Sequence, residues 1–279
     1  MPQALDKPAA PPVAVVHPED DLPMTVLEHL GELRGRLIKA LLGVLPGMFI
    51  AWGYRDNLLE FLFTPFADAY VALKLGKPVM HFSNPPELFM VQMKIAIVAG
   101  LMFSSPWVFY QVWAFVAPGL YRRERRFAIP FVVASTVCFA CGAFFAYKLF
   151  MGPMYEALLG MGGLLPGGAI SIEPMMMITE NISFATQVLL AFGVVFEVPV
   201  VVTFLALAGI VNWRQLLSFG RWWVVISSLL AAVLTPTADA VSMMIMMAPM
   251  VILYFLAVGL AFLFGPKLPA KSDDSAGVT

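Results

Sequence analysis

Charged residues are missing from long stretches of this chain, and the gaps set its architecture. A helix that crosses a bilayer needs about 20 mainly apolar residues, because each adds about 1.5 Å against a hydrocarbon core of about 30 Å. The first apolar run extends from Ala40 to Tyr54 between Lys39 and Arg55, and its helix can begin earlier, near Thr25. The second extends from Ile95 to Tyr121 and the third from Phe127 to Tyr147. The fourth lies between Glu180 and Arg214 and is interrupted only by Glu197. The fifth lies between Arg221 and Asp239, and the sixth between Asp239 and Lys267. This pattern predicts an all-α integral membrane protein with six transmembrane helices. The fifth run supplies only about 25 Å of helix, which points to a locally thinned bilayer.

The connections add an orientation. With the N-terminus inside, one side of the membrane carries Lys7, Arg34, Arg36, Lys39, Arg122, Arg123, Arg125, Arg126, Arg214, Arg221, Lys267 and Lys271. The other carries only Arg55, Lys74, Lys77 and Lys148, with Lys94 at the outer end of the second run. Cytoplasmic loops are enriched in Lys and Arg, so both termini are expected in the cytoplasm. The outer segment from Arg55 to Glu87 mixes Leu58, Leu59, Phe61, Leu62, Phe63 and Phe66 with Asp56, Glu60 and Asp68. It is expected to form an amphipathic helix on the outer membrane surface, kinked or ended in its first part by Pro65. The glycine-rich stretch from Glu156 to Glu173 reads as a flexible outer loop. Residues 1–23, rich in Pro and Ala and lacking an apolar core segment, read as a disordered cytoplasmic tail rather than a cleavable signal. Residues 24–265 form the six-helix domain, and 266–279 a second cytoplasmic tail.

Composition supports the membrane reading. Of 279 residues, 60% are hydrophobic and 13% charged, about half the charged share of a soluble domain. The net charge of -1 gives no reason to expect nucleic acid as a partner. Cys138 and Cys141 have C-x-x-C spacing, but they lie in an apolar run without His or acidic company, so they read as two small residues one helical turn apart. No nucleotide loop, zinc helix or nucleophile elbow is present, and His17, His29 and His81 fall outside the runs. No catalytic residue, metal site or cofactor is expected.

The remaining candidates are carboxylates. Glu32 stands in His29-Leu-Gly-Glu-Leu-Arg-Gly-Arg-Leu37, and Glu124 in Tyr121-Arg-Arg-Glu-Arg-Arg126. Each sits among arginines on the same side of the membrane. They are either neutralising acids within a basic surface or acceptors for guanidinium groups of a partner, which carboxylates bind through bidentate, charge-assisted bonds. Glu197 differs, because a carboxylate inside a span costs ~2.5 kcal/mol or more. Pro199, two residues on, weakens the local hydrogen-bond ladder and exposes a carbonyl. A protonated glutamate bonded to a neighbouring helix is the plainer reading of the same residue. A small-solute transporter with Glu197 as proton site would favour an internal repeat, and none is visible. A purely structural scaffold remains the other alternative.

Four ordered motifs then carry a resemblance: His29 to Leu37, Tyr110-Gln-Val-Trp-Ala-Phe-Val-Ala-Pro-Gly-Leu-Tyr-Arg-Arg-Glu-Arg-Arg126, Phe192-Gly-Val-Val-Phe-Glu-Val-Pro199, and Leu234-Thr-Pro-Thr-Ala-Asp239. Over roughly residues 26–265 the chain resembles the TatC family, the multi-spanning receptor subunits of the twin-arginine protein translocase. The resemblance implies binding of twin-arginine signal peptides of folded cargo at the cytoplasmic face, and export driven by the proton motive force. It implies single-span TatA- and TatB-type partners, a homo-oligomer within a larger complex, and residence in the bacterial cytoplasmic membrane. Carried over by motif, Glu32 and Glu124 match the acids that recognise the arginine pair, with Arg34, Phe115 and Arg126 beside them. Glu197 matches the intramembrane acid of the fourth span, Asp239 the acid between the last two spans, and Pro65 a proline of the outer segment. The sequence departs from the family at Ala238, where a second proline is common, and at Ser242-Met243, where Ser-Gln is common.

Overall fold

Small residues decide where the helices meet. The computed structural model describes residues 26–116, 128–164, 171–172, 174–234 and 240–264. Helix α1 (Val26–Gly53) packs on α3 (Pro85–Phe103) and on α4 (Ser105–Val116). Its seam with α3 is built from Gly47, Ala51, Ala96, Ala99 and Gly100. A Cβ on Gly100 would lie 2.6 Å from Met48 Cα, and one on Gly47 would lie 2.7 Å from the Gly100 carbonyl oxygen. Lipid gives no hydrophobic reason for helices to associate, so close backbone approach and interhelical hydrogen bonds must hold them. The seam between α5 (Ala128–Phe145) and α7 (Ile178–Val195) uses the same device, with Gly142 against the Phe192 carbonyl and Gly193 against the Phe139 ring.

Among the described residues the regular elements are helices, apart from a two-residue antiparallel pairing of Gly163–Leu164 with Ser171–Ile172 and an isolated parallel bridge between His81 and Met177. Six stretches are long and apolar enough to cross a membrane: Leu27–Gly53, Pro85–Phe103, Ile129–Leu159, Ile178–Leu207, Trp213–Leu234 and Ala240–Leu263. Helix α7 packs on both α3 and α5, and α8 (Val198–Leu207) and α9 (Trp213–Leu234) pack on α10 (Ala240–Phe264). The largest core lies among α2 (Arg55–Ala72), α6 (Met151–Leu159) and α7, around Phe66, Met151, Met154, Tyr155, Ile182 and Val188. Helix α8 ends on Gly209 at φ +67°, where the Ile210 amide bonds the Leu205 carbonyl and the Gly209 amide the Ala206 carbonyl. That pair of bonds is a Schellman cap, and the left-handed conformation it needs is what glycine supplies.

The boundaries differ from the apolar runs in instructive ways. The second helix begins at Pro85, capped by Asn84 with Glu87 reaching back to it, so Lys94 is at mid-length of α3 rather than at its end. The Glu87 carboxylate also accepts the Thr179 hydroxyl at 2.5 Å, which ties the starts of α3 and α7 together. The third run does not stop at Tyr147. It passes through a π-helical segment, Ala146–Phe150, into α6, so Glu156 is helical rather than part of a loop. The fifth span, α9, starts at Trp213, ahead of Arg221, and is 22 residues long. The charge-free run therefore understated its length. Pro65 neither ends nor divides α2, which runs 18 residues through it. The buried face of α2, Leu62, Pro65, Phe66 and Ala69, is turned to α6 and the core rather than to lipid.

Continuity through Pro65 has a physical cause. Proline has no N–H, so the carbonyl four residues earlier loses its helical partner. That carbonyl belongs to Phe61, and the Tyr147 hydroxyl donates to it at 2.9 Å. The two rings stack at 4.0 Å and 8°. Similar aromatic donors stitch other helix pairs: Trp107 Nε1 to the Lys39 carbonyl, Trp223 Nε1 to the Met250 carbonyl, and the Tyr254 hydroxyl to the Leu216 carbonyl.

Two changes test these seams. Tyr147→Phe keeps the ring stack and removes only the donor to Phe61, so it should destabilise by ~1 kcal/mol, read as a lowered Tm in detergent. Gly100→Val pushes a branched side chain into α1 and should cost about 1–3 kcal/mol. Gly152→Ala, where an added Cβ meets nothing within 4 Å, is the control and should leave Tm unchanged or slightly raised.

Candidate functional site

Two polar sites stand out, one at the end of the α1–α4 seam and one at the break in the fourth span. At the first, α1 and α4 run beside each other, held by Trp107 of α4 against Gly43 and the Lys39 carbonyl. Two turns further along α4, Phe115 stacks on His29 of α1, ring centroids 4.4 Å apart and 19° from parallel. Between these contacts stands Glu32. It is half-buried, and its Oε1 accepts Arg36 Nη2 at 3.1 Å and Nε at 3.3 Å. The i, i+4 spacing puts Glu32 and Arg36 on one helix face. Glu32 Oε2 is buried and makes no hydrogen bond.

Midway between Trp107 and Phe115 on α4, Gln111 is 3% exposed and its Oε1 has no donor. By helical spacing it stands level with the Glu32–Arg36 turn. The seam thus carries two buried acceptor oxygens without donors, an arrangement that native structures rarely leave without a purpose. Arg34 is exposed. Glu124 and Arg126 lie outside the described residues, and so does Asp239. Phe115 and Glu32 are brought together through His29. Neither His29 nor Gln111 stood out as a site residue in the sequence. The available signal was a polar glutamine inside an otherwise apolar helical run.

At the second site the fourth span breaks. Helix α7 ends at Val195, α8 begins at Val198, and Pro199 stands in the first turn of α8. Glu197 is at the joint. Its amide donates to the Val194 carbonyl and its carbonyl accepts the Val201 amide. The side chain meets the Ser135 hydroxyl of α5, which itself accepts Trp113 Nε1 at 3.0 Å. Ser135 is 1% exposed, so α4, α5 and the α7–α8 joint meet around one hydroxyl. The rings of Trp113, Phe131 and Phe204 close the apolar side. Glu197 Oε1 remains buried without a partner. This intramembrane acid therefore has one neutral contact and one free acceptor. Cys138 and Cys141, also on α5, are free thiols.

The described residues hold no cluster of three or more His, Cys, Asp or Glu that could ligate a metal. What both sites offer is hydrogen-bond acceptance in sheltered surroundings.

Comparison with known proteins is consistent across three kinds of match. The family model for Sec-independent protein translocase protein (TatC) matches residues 28–249. A TatC protein from Koribacter versatilis is 37% identical over 256 residues, 90% of each chain. One from Carboxydothermus hydrogenoformans is 36% identical, covering 89% of this chain and 97% of the relative. A crystal structure of a twin-arginine translocase receptor, TatC, superposes with a TM-score of 0.73 at 31% identity, covering 85% of this chain and 99% of that one.

Proposed function

The chain belongs to the TatC family, and from that premise we propose that it is the receptor subunit of a twin-arginine protein translocase whose α1–α4 seam reads the arginine pair of a signal peptide. The observation that carries this reading is the pair of donor-free acceptors, Glu32 Oε2 and Gln111 Oε1. A guanidinium brings five N–H donors in a rigid fork and no acceptor. It is the side chain that such a seam complements.

Magnitudes favour an exchange of partners. The internal Glu32–Arg36 pair is an i, i+4 helix pair, worth about 0.3–0.5 kcal/mol. Hydrogen bonds from an incoming guanidinium to a sheltered carboxylate are worth about 1.5–3 kcal/mol. Arg36 can therefore hold the carboxylate in position and give way to a signal arginine at small cost. By family resemblance Glu124 supplies the second carboxylate, and Arg34 and Arg126 match neighbouring signal-site positions. Phe115, braced on His29, forms an apolar wall for the segment that follows the arginines.

In this reading both termini and the α1–α4 end face the cytoplasm, and the chain resides in the bacterial cytoplasmic membrane. Single-span TatA- and TatB-type proteins join it and further copies of itself, and the proton motive force drives export. Helix α9 leans mainly on α10 and leaves Trp222, Val225, Leu229 and Val233 exposed, a face suited to a partner helix. Glu197 offers its free oxygen to a polar side chain or water of such a partner. Pro199 shapes the start of α8 beside it, and by family resemblance Asp239 takes a partner-helix or structural role.

Three measurements bear on the proposal. Photocrosslinking of a twin-arginine peptide should be lost when Glu32 and Glu124 are both changed to Ala, and wild-type crosslinking in that variant would sink the assignment. Arg36→Gln should tighten peptide binding by roughly twofold, the worth of the pair it removes; weakened binding would mean that Arg36 contacts the peptide itself. Glu197→Gln should lower export or partner crosslinking while leaving peptide binding intact, and unchanged export with unchanged crosslinking returns Glu197 to a structural role.

A further inference from the structure

A half-open cavity of about 380 Å³ lies among α2, α3, α5 and α7, away from both polar sites. Leu58, Val98, Met102, Phe144 and Leu189 are among its walls. Two lining side chains carry hydroxyls, and both are committed. Tyr147 donates to the Phe61 carbonyl and Thr186 to the Ile182 carbonyl. The interior has no free donor with which to hold water or a polar side chain. An apolar cavity of about 150 Å³ stays dry and takes benzene, and this one has more than twice that volume. It is too small for a helix, since two turns of a cylinder about 10 Å across displace roughly 850 Å³.

A cation stands beside it. Lys94 is one helical turn from Val98 along α3, and Ser183 is one turn from Thr186 along α7. The half-buried Lys94 ammonium donates to the Ser183 hydroxyl at 2.8 Å. Among the described residues it makes no ion pair. Of the acids around it, Glu87 is engaged by the Ser83 amide and the Thr179 hydroxyl and Asp56 by Gln92 and Arg55, while Glu180, one turn before Ser183 on α7, is exposed and makes no ion pair with it. An ammonium has three donors, so two remain. Lys94 borders the charge-free run that starts at Ile95, so it stands where hydrocarbon gives way to headgroups, and the anion every bilayer supplies there is phosphate.

We propose that the cavity and Lys94 together bind one glycerophospholipid of the bilayer, its acyl chain filling the cavity and its phosphate pairing with the Lys94 ammonium. The site needs only the membrane-spanning fold and is independent of signal recognition. The lipid fills the space among four helices whose direct packing is incomplete there.

The test uses the full chain in vesicles of phosphatidylethanolamine and phosphatidylglycerol, with a trace of phosphatidylglycerol carrying a diazirine near the end of one acyl chain. After irradiation, mass spectrometry should find adducts on the segments containing Val98, Met102 and Leu189. Val98→Trp, which fills the cavity, should abolish them; if that variant does not keep the wild-type Tm, Leu58→Trp fills the cavity from α2 instead. Lys94→Gln should lower labelling roughly tenfold at limiting probe, the worth of one charge-assisted bond, and Lys94→Arg should restore it. Adducts indifferent to both the filled cavity and Lys94→Gln overturn the proposal.

Discussion

Every backbone N–H and C=O inside a bilayer must find a partner within the protein, because the surrounding hydrocarbon offers none. The fold follows from how this chain meets that demand. Its helices contain Pro46, Pro65 and Pro249, and Pro199 opens α8. Each proline removes a donor from the helix ladder. Around Pro65 the loss is repaired by Tyr147 from the π-helical segment, which at the same time fixes α2 against the third span. Tryptophan and tyrosine donors also land on backbone carbonyls in the α1–α4 and α9–α10 pairs. Glycine and alanine seams bring the backbones near enough for such bonds to form.

The same rule isolates the polar sites. Most groups in the described core are satisfied, so an acceptor left open is conspicuous. Glu32 and Gln111 open toward one seam, and Glu197 opens at a joint where the helix is already interrupted. The break at Glu197 is not a flaw in an otherwise continuous span. Ser135, positioned by Trp113, gives its carboxyl a neutral contact without cancelling it. A charged partner would have closed the site.

Much of this was legible in the sequence, for a definite reason. Lipid excludes charge, so charge-free runs located all six spans, and Glu197 with Pro199 marked the break. Boundaries were less legible because charge tells where lipid ends rather than where a helix ends. Lys94, Lys148, Arg214 and Arg221 all lie inside helices that continue past them. Pro65 misled because its effect depends on a donor 86 positions from the Phe61 carbonyl it frees, a contact no local pattern encodes. Glu32 was legible as a carboxylate among arginines. Its bond to Arg36 follows from helical spacing, whereas the role of Gln111 appears only when α4 is laid against α1.

The π-helical segment Ala146–Phe150 has a consequence for how such a chain can change over time. A π-turn accommodates one residue more than an α-turn would. A deletion within that turn removes the extra residue and closes it to regular α-helix with the flanks in register, whereas a deletion upstream in α5 rotates everything beyond it by about 100°. Met151, Met154 and Tyr155 would then swing out of the core, although no individual contact had been mutated. Within the segment, point substitutions and the loss of one residue both keep the register. The third span therefore has one place where its length can change by a residue, and elsewhere its length is under tighter constraint than its composition.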